Sequence, residues 1–149
     1  MRKYLIFFCF LIQSLLFSFE FQNTSWRVKN IAVFDDVITG EFDQSIVGSV
    51  LKYTDTSIIF DNREYKIKKE NIEFWTESDL YNETRGSQSR GLTFQDLNTK
   101  LNEICVIDYK IEGLKYPLGA FVIILSENSM LSTYKGNYFF LEKVTEVDE

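Results

Sequence analysis

The sequence predicts a mainly β fold, an antiparallel meander that closes into a small barrel or sandwich of about eight strands, with one short α-helix packed on it. Three strand-length apolar runs, joined by short polar turns, follow one another between residues 119 and 143. Residues 121–125 and 138–141 are apolar at every position, so both faces of these strands should be covered. Fourteen Phe and eight Tyr add the aromatic side chains that strands and a filled interior favour.

The first residues have the pattern of a secretory leader. Arg2 and Lys3 precede an apolar run over residues 4–19, which is short for a membrane span. We therefore predict a signal peptide at 1–18 and a single domain at 19–149, exported to the periplasm or secreted, with no stable membrane span after cleavage. An uncleaved N-terminal anchor is the alternative. Cys105 is the one cysteine outside the leader, and the Lys-, Asn- and Phe-rich composition favours a bacterial envelope protein.

The charge balance bears on possible partners. Without Arg2 and Lys3, residues 19–149 carry 14 basic and 22 acidic side chains, a net charge of −8. Nucleic acids and anionic membranes attract Lys and Arg, so neither is an expected partner. A cationic partner would be attracted, although negative charge also simply keeps a small domain soluble.

The N-terminal half is predicted to form four strands. The first covers residues 25–34, with a bulge near Asn30, and a connection over 39–48 contains one short helical turn closed by Gly48. Runs at 49–53, 57–60 and 64–67 follow in hairpin order, with turn-forming residues between them. Lysines at 66, 68 and 69 indicate an edge strand or a solvated face, with a contact surface as the alternative.

Two segments follow before the C-terminal strands. Residues 76–91 form one long polar connection, interpreted as a recognition loop or as a mobile insertion without a role. Thr93 and Asp96 have the spacing of a capping box, and Leu92 can pack on Leu97. An apolar stripe then predicts the helix at about 94–102. The strand at 104–112 is predicted to place residues 105, 107, 109 and 111, which include Cys105, on one face and residues 104, 106, 108 and 110 on the other. Two-residue hairpin loops are predicted at 127–128 and 136–137.

The available chemistry argues against catalysis. The chain has no His, which excludes Ser-His-Asp and Cys-His arrangements and removes the commonest metal ligand. Cys105 stands in an apolar strand and is expected to be an inert, buried thiol. Carboxylate pairs at 35–36, 41 and 43, and 77 and 79 leave a carboxylate-dependent hydrolase as an alternative. No catalytic residue, cofactor or metal site is predicted.

The mature chain resembles the small lipocalin-like (calycin-type) β-barrel proteins. Trp26 lies near the start of the first strand, and a Gly136-x-Tyr138-Phe139-x-Leu141-x-Lys143 strand closes the chain. Lipocalins open with Gly-x-Trp and pack a basic residue over that Trp. Here Thr24 replaces the Gly, and Lys143 or Lys135 would replace the Arg. Lipocalins also place their helix after the last barrel strand, whereas the helix predicted here precedes the final strands. The resemblance implies an interior that holds a small apolar ligand, lined by Trp26, Phe121, Ile123, Tyr138 and Phe140.

Three functions remain open at this point. The first is an exported, non-catalytic binding or interaction protein of the bacterial envelope, which meets a protein partner through a polar loop or sheet face. Its expected contact residues are Trp75, Tyr81, Arg85 and Arg90. The second is a lipocalin-like carrier of a small apolar ligand, and the third is the carboxylate-dependent hydrolase. A packed interior with an exposed Trp75 or Tyr81 patch would favour the first function, and an open, apolar interior would favour the second.

Overall fold

A computed structural model describes residues 21–37, 43–113 and 116–145, which form a closed eight-stranded antiparallel barrel with one α-helix. The predicted mainly β barrel is therefore confirmed. The predicted leader at 1–18 lies outside the described residues. The strands are β1 (Ser25–Ala32), β2 (Val50–Tyr53), β3 (Ser57–Phe60), β4 (Arg63–Trp75), β5 (Ile104–Ile111), β6 (Phe121–Ser126), β7 (Ser129–Tyr134) and β8 (Asn137–Lys143). A 3-10 helix spans Gln44–Ile46, and the α-helix, α1, spans Glu77–Thr84.

The strands follow one another around the barrel in chain order, and β1 closes it by pairing with β8. Short turns make this order possible. In the turn between β7 and β8, both Lys135 and Gly136 have positive φ, as a two-residue hairpin loop requires, one residue earlier than the sequence indicated. Gly48, at φ +90°, follows the 3-10 helix and confirms the predicted helical turn and its end.

Alternation along the strands divides the apolar side chains into two clusters. On β5, Cys105, Ile107, Tyr109 and Ile111 belong to the interior cluster, whereas Ile104 and Val106 belong to an outer cluster, as predicted. The interior cluster draws residues from every strand. The outer cluster lies under residues 76–103, here called the cover segment, which contributes the buried side chains Leu80, Leu92 and Leu97. Both faces of β5 and β6 are covered for this reason.

A bulge in β1 sets which side chains point inward. Val28 pairs with Leu141, but the next pair joins Asn30 to Phe140, so one residue is inserted, as the sequence predicted near Asn30. Because of this insertion, Val28 and Ile31 both pack on the interior cluster and Ala32 turns to the outer cluster.

The position predicted for the helix is wrong, because residues 94–98 form turns and α1 lies in the polar connection. The predicted box does form: the Thr93 N–H donates to Asp96 Oδ2 at 2.8 Å, and the Asp96 N–H donates to Thr93 Oγ1 at 3.3 Å. Asn98 then adopts φ +51°, which ends the helical path after one turn. A second box at Thr76 and Asp79 begins α1. Among the described residues, no helix has the length and apolarity to cross a membrane.

Candidate functional site

The barrel interior is filled by its own side chains. Trp26, Tyr53, Met130 and Phe139 are among the largest side chains that are fully buried there. Phe21 closes one end of the interior, stacked on Trp26 with ring centroids 5.2 Å apart. The pocket beside Phe21 has a volume of about 50 Å³. Ligand pockets usually measure about 300 to 1,000 Å³, so this space suits a water molecule rather than a carried ligand.

Tyrosines form the polar part of this end of the interior. The Tyr53 hydroxyl donates to the Gly119 carbonyl at 2.8 Å, and the Tyr53 and Tyr109 rings lie 5.6 Å apart. Burial raises the pKa of both phenols, and for Tyr109 the nearby Glu70 carboxylate raises the pKa further. These hydroxyls therefore remain protonated near neutral pH and act as hydrogen-bonding groups rather than as bases.

The residues predicted to line a ligand cavity are not brought together. Trp26 belongs to the interior cluster. Phe121, Ile123, Tyr138 and Phe140 belong to the outer cluster, under the cover segment. Their strand neighbours Val122, Ile124, Phe139 and Leu141 point inward instead. Continuous apolar runs carry no alternation, so the sequence could not show which face of β6 and β8 is the inner one.

The predicted partner residues also separate. Arg90 is held inside the cover segment, where Nη1 and Nη2 donate to the two Asp96 carboxylate oxygens at 2.6 and 2.8 Å. Tyr81 is half-buried on α1, and Arg85 is exposed at its C-terminal end. Trp75 ends β4 and lies half-buried against Phe121, with ring centroids 5.8 Å apart. Of the four, Trp75 is the residue that lines an open concave surface.

That surface is a groove between the end of β4 and α1, with a volume of about 410 Å³. We call it the acid–aromatic groove; its lining residues are Glu73, Phe74, Trp75, Asp79 and Glu83. Phe74, whose side chain alternates to the other face of β4, is 38% exposed. The Trp75 indole N–H donates to Glu73 Oε2 at 2.7 Å. Hydrogen bonds from Thr76 lower the pKa of Asp79, so this carboxylate is charged at neutral pH.

Two local rules place these groups together. Glu73 and Trp75 are two residues apart on a strand and so share a face, while Asp79 and Glu83 are one turn apart on α1. The Thr76–Asp79 box sets the direction in which α1 leaves β4. Asp79 and Glu83 were missed as contact residues because residues 76–91 were interpreted as a loop. Glu73 and Phe74 were missed because the predicted strand ended at residue 67, whereas β4 continues to Trp75. The Thr76-x-x-Asp79 spacing was the signal that could have revealed Asp79 and Glu83.

Three of the carboxylates considered for catalysis have structural partners. Glu77 Oε1 accepts from the Phe94 N–H at 3.0 Å, and Asp79 Oδ2 accepts from the Thr76 N–H at 2.9 Å. Asp43 accepts from Ser45 at the start of the 3-10 helix, while Glu41 lies outside the described residues. Within the described ranges, no three His, Cys, Asp or Glu side chains are grouped so that they could hold a metal ion.

Likeness to other proteins adds nothing to this geometry. Comparison with protein-family models, with curated proteins and with solved structures gives no match for this chain.

Proposed function

We propose that this chain is an exported, non-catalytic interaction protein that binds a cationic segment of a protein partner in the acid–aromatic groove. The observation that carries the proposal is the combination of three carboxylates with the indole ring of Trp75 in one open groove. A Lys or Arg side chain suits such a surface, because its apolar stem can pack on Trp75 while its charged head meets the carboxylates.

The overall charge supports the same partner. Residues 19–149 carry a net charge of −8, which raises the rate at which a cationic partner reaches the surface. Such attraction weakens as salt is added, because the groove is open to solvent. Binding in the groove should therefore be stronger at low ionic strength.

The filled interior supports interaction over ligand transport. With Trp26 and Phe139 fully buried, the pocket beside Phe21 has only about 50 Å³. One feature of the barrel supports the resemblance to lipocalins. Lys143 lies opposite Trp26 in the β1–β8 ladder, and a basic residue was expected near this Trp. This pairing favours a related barrel plan and says nothing of a ligand.

Two further parts of the proposal rest on the sequence and on hydrogen bonding. Export rests on the charged start and the apolar run of the leader. The absence of catalysis is supported by the roles of Glu77 and Asp79, whose carboxylates accept backbone hydrogen bonds in the cover segment and at the start of α1.

A titration with tetralysine, followed by NMR, tests the groove directly. We expect the Trp75 indole resonance to shift at low salt and the Trp26 resonance to stay, since Trp26 is buried. Glu83→Lys should weaken tetralysine binding about tenfold, because it replaces an attractive charge with a repulsive one. Glu127→Lys, which makes the same charge change in the exposed β6–β7 turn, is the matched control.

Capture from the exported fraction of the source cells then tests for a physiological partner. A basic protein should be retained by the wild type and by Glu127→Lys, and lost with Glu83→Lys. Equal retention by all three proteins would contradict a role for the groove. Native mass spectrometry that showed a bound lipid and no protein would support the carrier alternative instead.

A further inference from the structure

Strand β4 is much longer than the strand on one side of it. The β3–β4 register joins Ser57–Phe60 to residues 63–66, and the last bond on this side runs from the Ile67 N–H to the Thr56 carbonyl at 2.8 Å. From residue 69 onward, the strand neighbour found among the described residues is β5. Within the part of the chain that the structure describes, the second half of β4 is therefore an open sheet edge.

The bonding pattern shows which backbone groups this edge presents. On β5, the Tyr109 N–H donates toward β6, to Ala120, and the Glu112 N–H donates toward β4, to Lys66. Even-numbered residues of β5 thus face β4. Asp108 pairs with Asn71, and Val106 with Glu73, so odd-numbered residues of this part of β4 face β5.

It follows that the backbone N–H and C=O groups of Glu70, Ile72 and Phe74 point toward the open edge. The exposure of these three residues shows that solvent reaches this side of β4. Glu70 and Phe74 are exposed and Ile72 is half-buried, whereas their β5 partners Tyr109, Cys105 and Ile107 are buried.

One register lets this edge pair with itself. In an antiparallel pair with Asn71 opposite the second copy's Asn71, Glu70 and Ile72 exchange hydrogen bonds, and Lys69 lies opposite the second copy's Glu73, twice by symmetry. Centring the pair on Glu70 would oppose two like charges, and centring it on Ile72 would place Lys69 opposite Trp75. Cross-strand pairs of opposite charge stabilise a sheet, and like charges destabilise it.

We propose that two copies of this chain associate edge to edge through residues 69–73 of β4, antiparallel about a two-fold axis at Asn71. The bulge between Ile67 and Lys69 ends the straight edge on one side and so limits the pairing to this stretch.

Glu73 belongs both to this interface and to the acid–aromatic groove, whereas Glu83 lies in the groove alone. Tetralysine binding is therefore measured on the monomeric Lys69→Glu variant, which keeps all three groove carboxylates. A monomeric wild type that binds tetralysine would overturn only the pairing, and a Lys69→Glu monomer that fails to bind it would contradict only the groove.

Charge exchange tests the register. Sedimentation of the full chain should show a dimer whose dissociation constant rises at least about tenfold for Lys69→Glu and for Glu73→Lys, since each change creates two like-charge pairs. The double variant should return to within about threefold of the wild type. A mixture of the two single variants should form a heterodimer. A wild-type monomer at high concentration, or a double variant no better than the single ones, would overturn the proposal.

A cross-linking experiment tests the same register without relying on the charge pairs. Asn71 would face its own copy across a pair without hydrogen bonds, where Cα atoms lie about 4.5 Å apart, within disulfide range. In a Cys9→Ser background, Asn71→Cys should form a disulfide-linked dimer under mild oxidation, and Lys69→Cys should do so far more slowly. Equal rates would overturn the register. Monomers with exchange-protected amides at Glu70, Ile72 and Phe74 would show another segment on the edge and would overturn the proposal as well.

Discussion

The guanidinium of Arg90 holds the carboxylate of Asp96 with two hydrogen bonds of 2.6 and 2.8 Å, and its Nε donates to the Asp35 carbonyl at 2.9 Å. One side chain thus joins the cover segment to the chain that leaves β1. The Asp96 side chain is only 13% exposed, so the pair is shielded from solvent more than a surface ion pair is. A residue predicted to meet a partner therefore stabilises the fold.

Arg90→Ala should lower the free energy of unfolding by about 2 to 3 kcal/mol, because it leaves the Asp96 carboxylate without its strongest partner. Urea unfolding measures this loss. Arg85→Ala is the control, since Arg85 is exposed, and it should change stability by less than about 0.5 kcal/mol. Similar losses for the two variants would contradict the role assigned to Arg90.

The ionised carboxylate of Asp96 should also make the stability of the fold depend on pH in the acid range. The Arg90 hydrogen bonds lower the pKa of Asp96 from 3.8 to about 2, so the unfolded chain takes up this proton first as the pH falls. The stabilisation is complete above about pH 4 and is lost as the pH falls through about 2. It amounts to about 1 to 2 kcal/mol after allowance for solvent screening. Asp96→Asn should flatten the stability profile in this window, measured by urea unfolding at successive pH values.

Gly91 packs closely against the backbone of α1 at Tyr81. A Cβ added to Gly91 would lie 1.8 Å from the Tyr81 carbonyl oxygen, and neither backbone can yield without moving the helix. We expect Gly91→Ala to cost about 3 kcal/mol. Gly86→Ala is the matched control, because its Cβ would meet only the Ser89 Cβ at 3.5 Å, an ordinary contact. A Gly91→Ala protein with wild-type thermal stability would contradict this packing.

The sequence predicted the order of the strands and most of their ends because short-range rules determine them, although β4 continues to Trp75 where the predicted strand ended at residue 67. The alternation of residues on β5 predicted which side chains share each face, and turn-forming residues predicted where most of the strands end. The prediction of a helix after Thr93, and of none after Thr76, was wrong for a physical reason. Both form capping boxes with the Asp three residues later, but the chain after Thr93 turns at Asn98 with positive φ, whereas the turn after Thr76 continues and buries Leu80.

The candidate site was harder to predict than the fold. The inner face of β6 could not be deduced because Val122 and Ile123 are both buried, one inside the barrel and one under the cover segment. Only closure of the barrel, with the bulge between Val28 and Asn30, decides which face is inside. Glu83 joins Trp75 in the groove only once residues 77–84 are known to be helical.

Cys105 should be unreactive in the folded protein. Its side chain points into the barrel interior and only 6% of the residue is exposed. Burial, with a smaller contribution from Glu70, raises the pKa of the thiol to about 11, so almost no thiolate exists at neutral pH. Iodoacetamide at pH 8 should leave Cys105 unmodified in native protein and modify it in urea, as peptide mass spectrometry can show. Rapid labelling of the native protein would contradict the buried position.

The filled interior predicts how the protein responds to apolar molecules. Native protein should not bind a long-chain fatty acid in a saturable way, because the pocket beside Phe21 has only about 50 Å³. Phe139→Ala should destabilise the fold by about 3 to 5 kcal/mol and open an apolar cavity that admits benzene or xenon. Phe140→Ala is the matched control, since its ring lies in the outer cluster, and it should open no such cavity. Stoichiometric fatty-acid binding by the wild type that shifts the Trp26 resonance would show that the interior can open, and it would favour the carrier function over the one proposed.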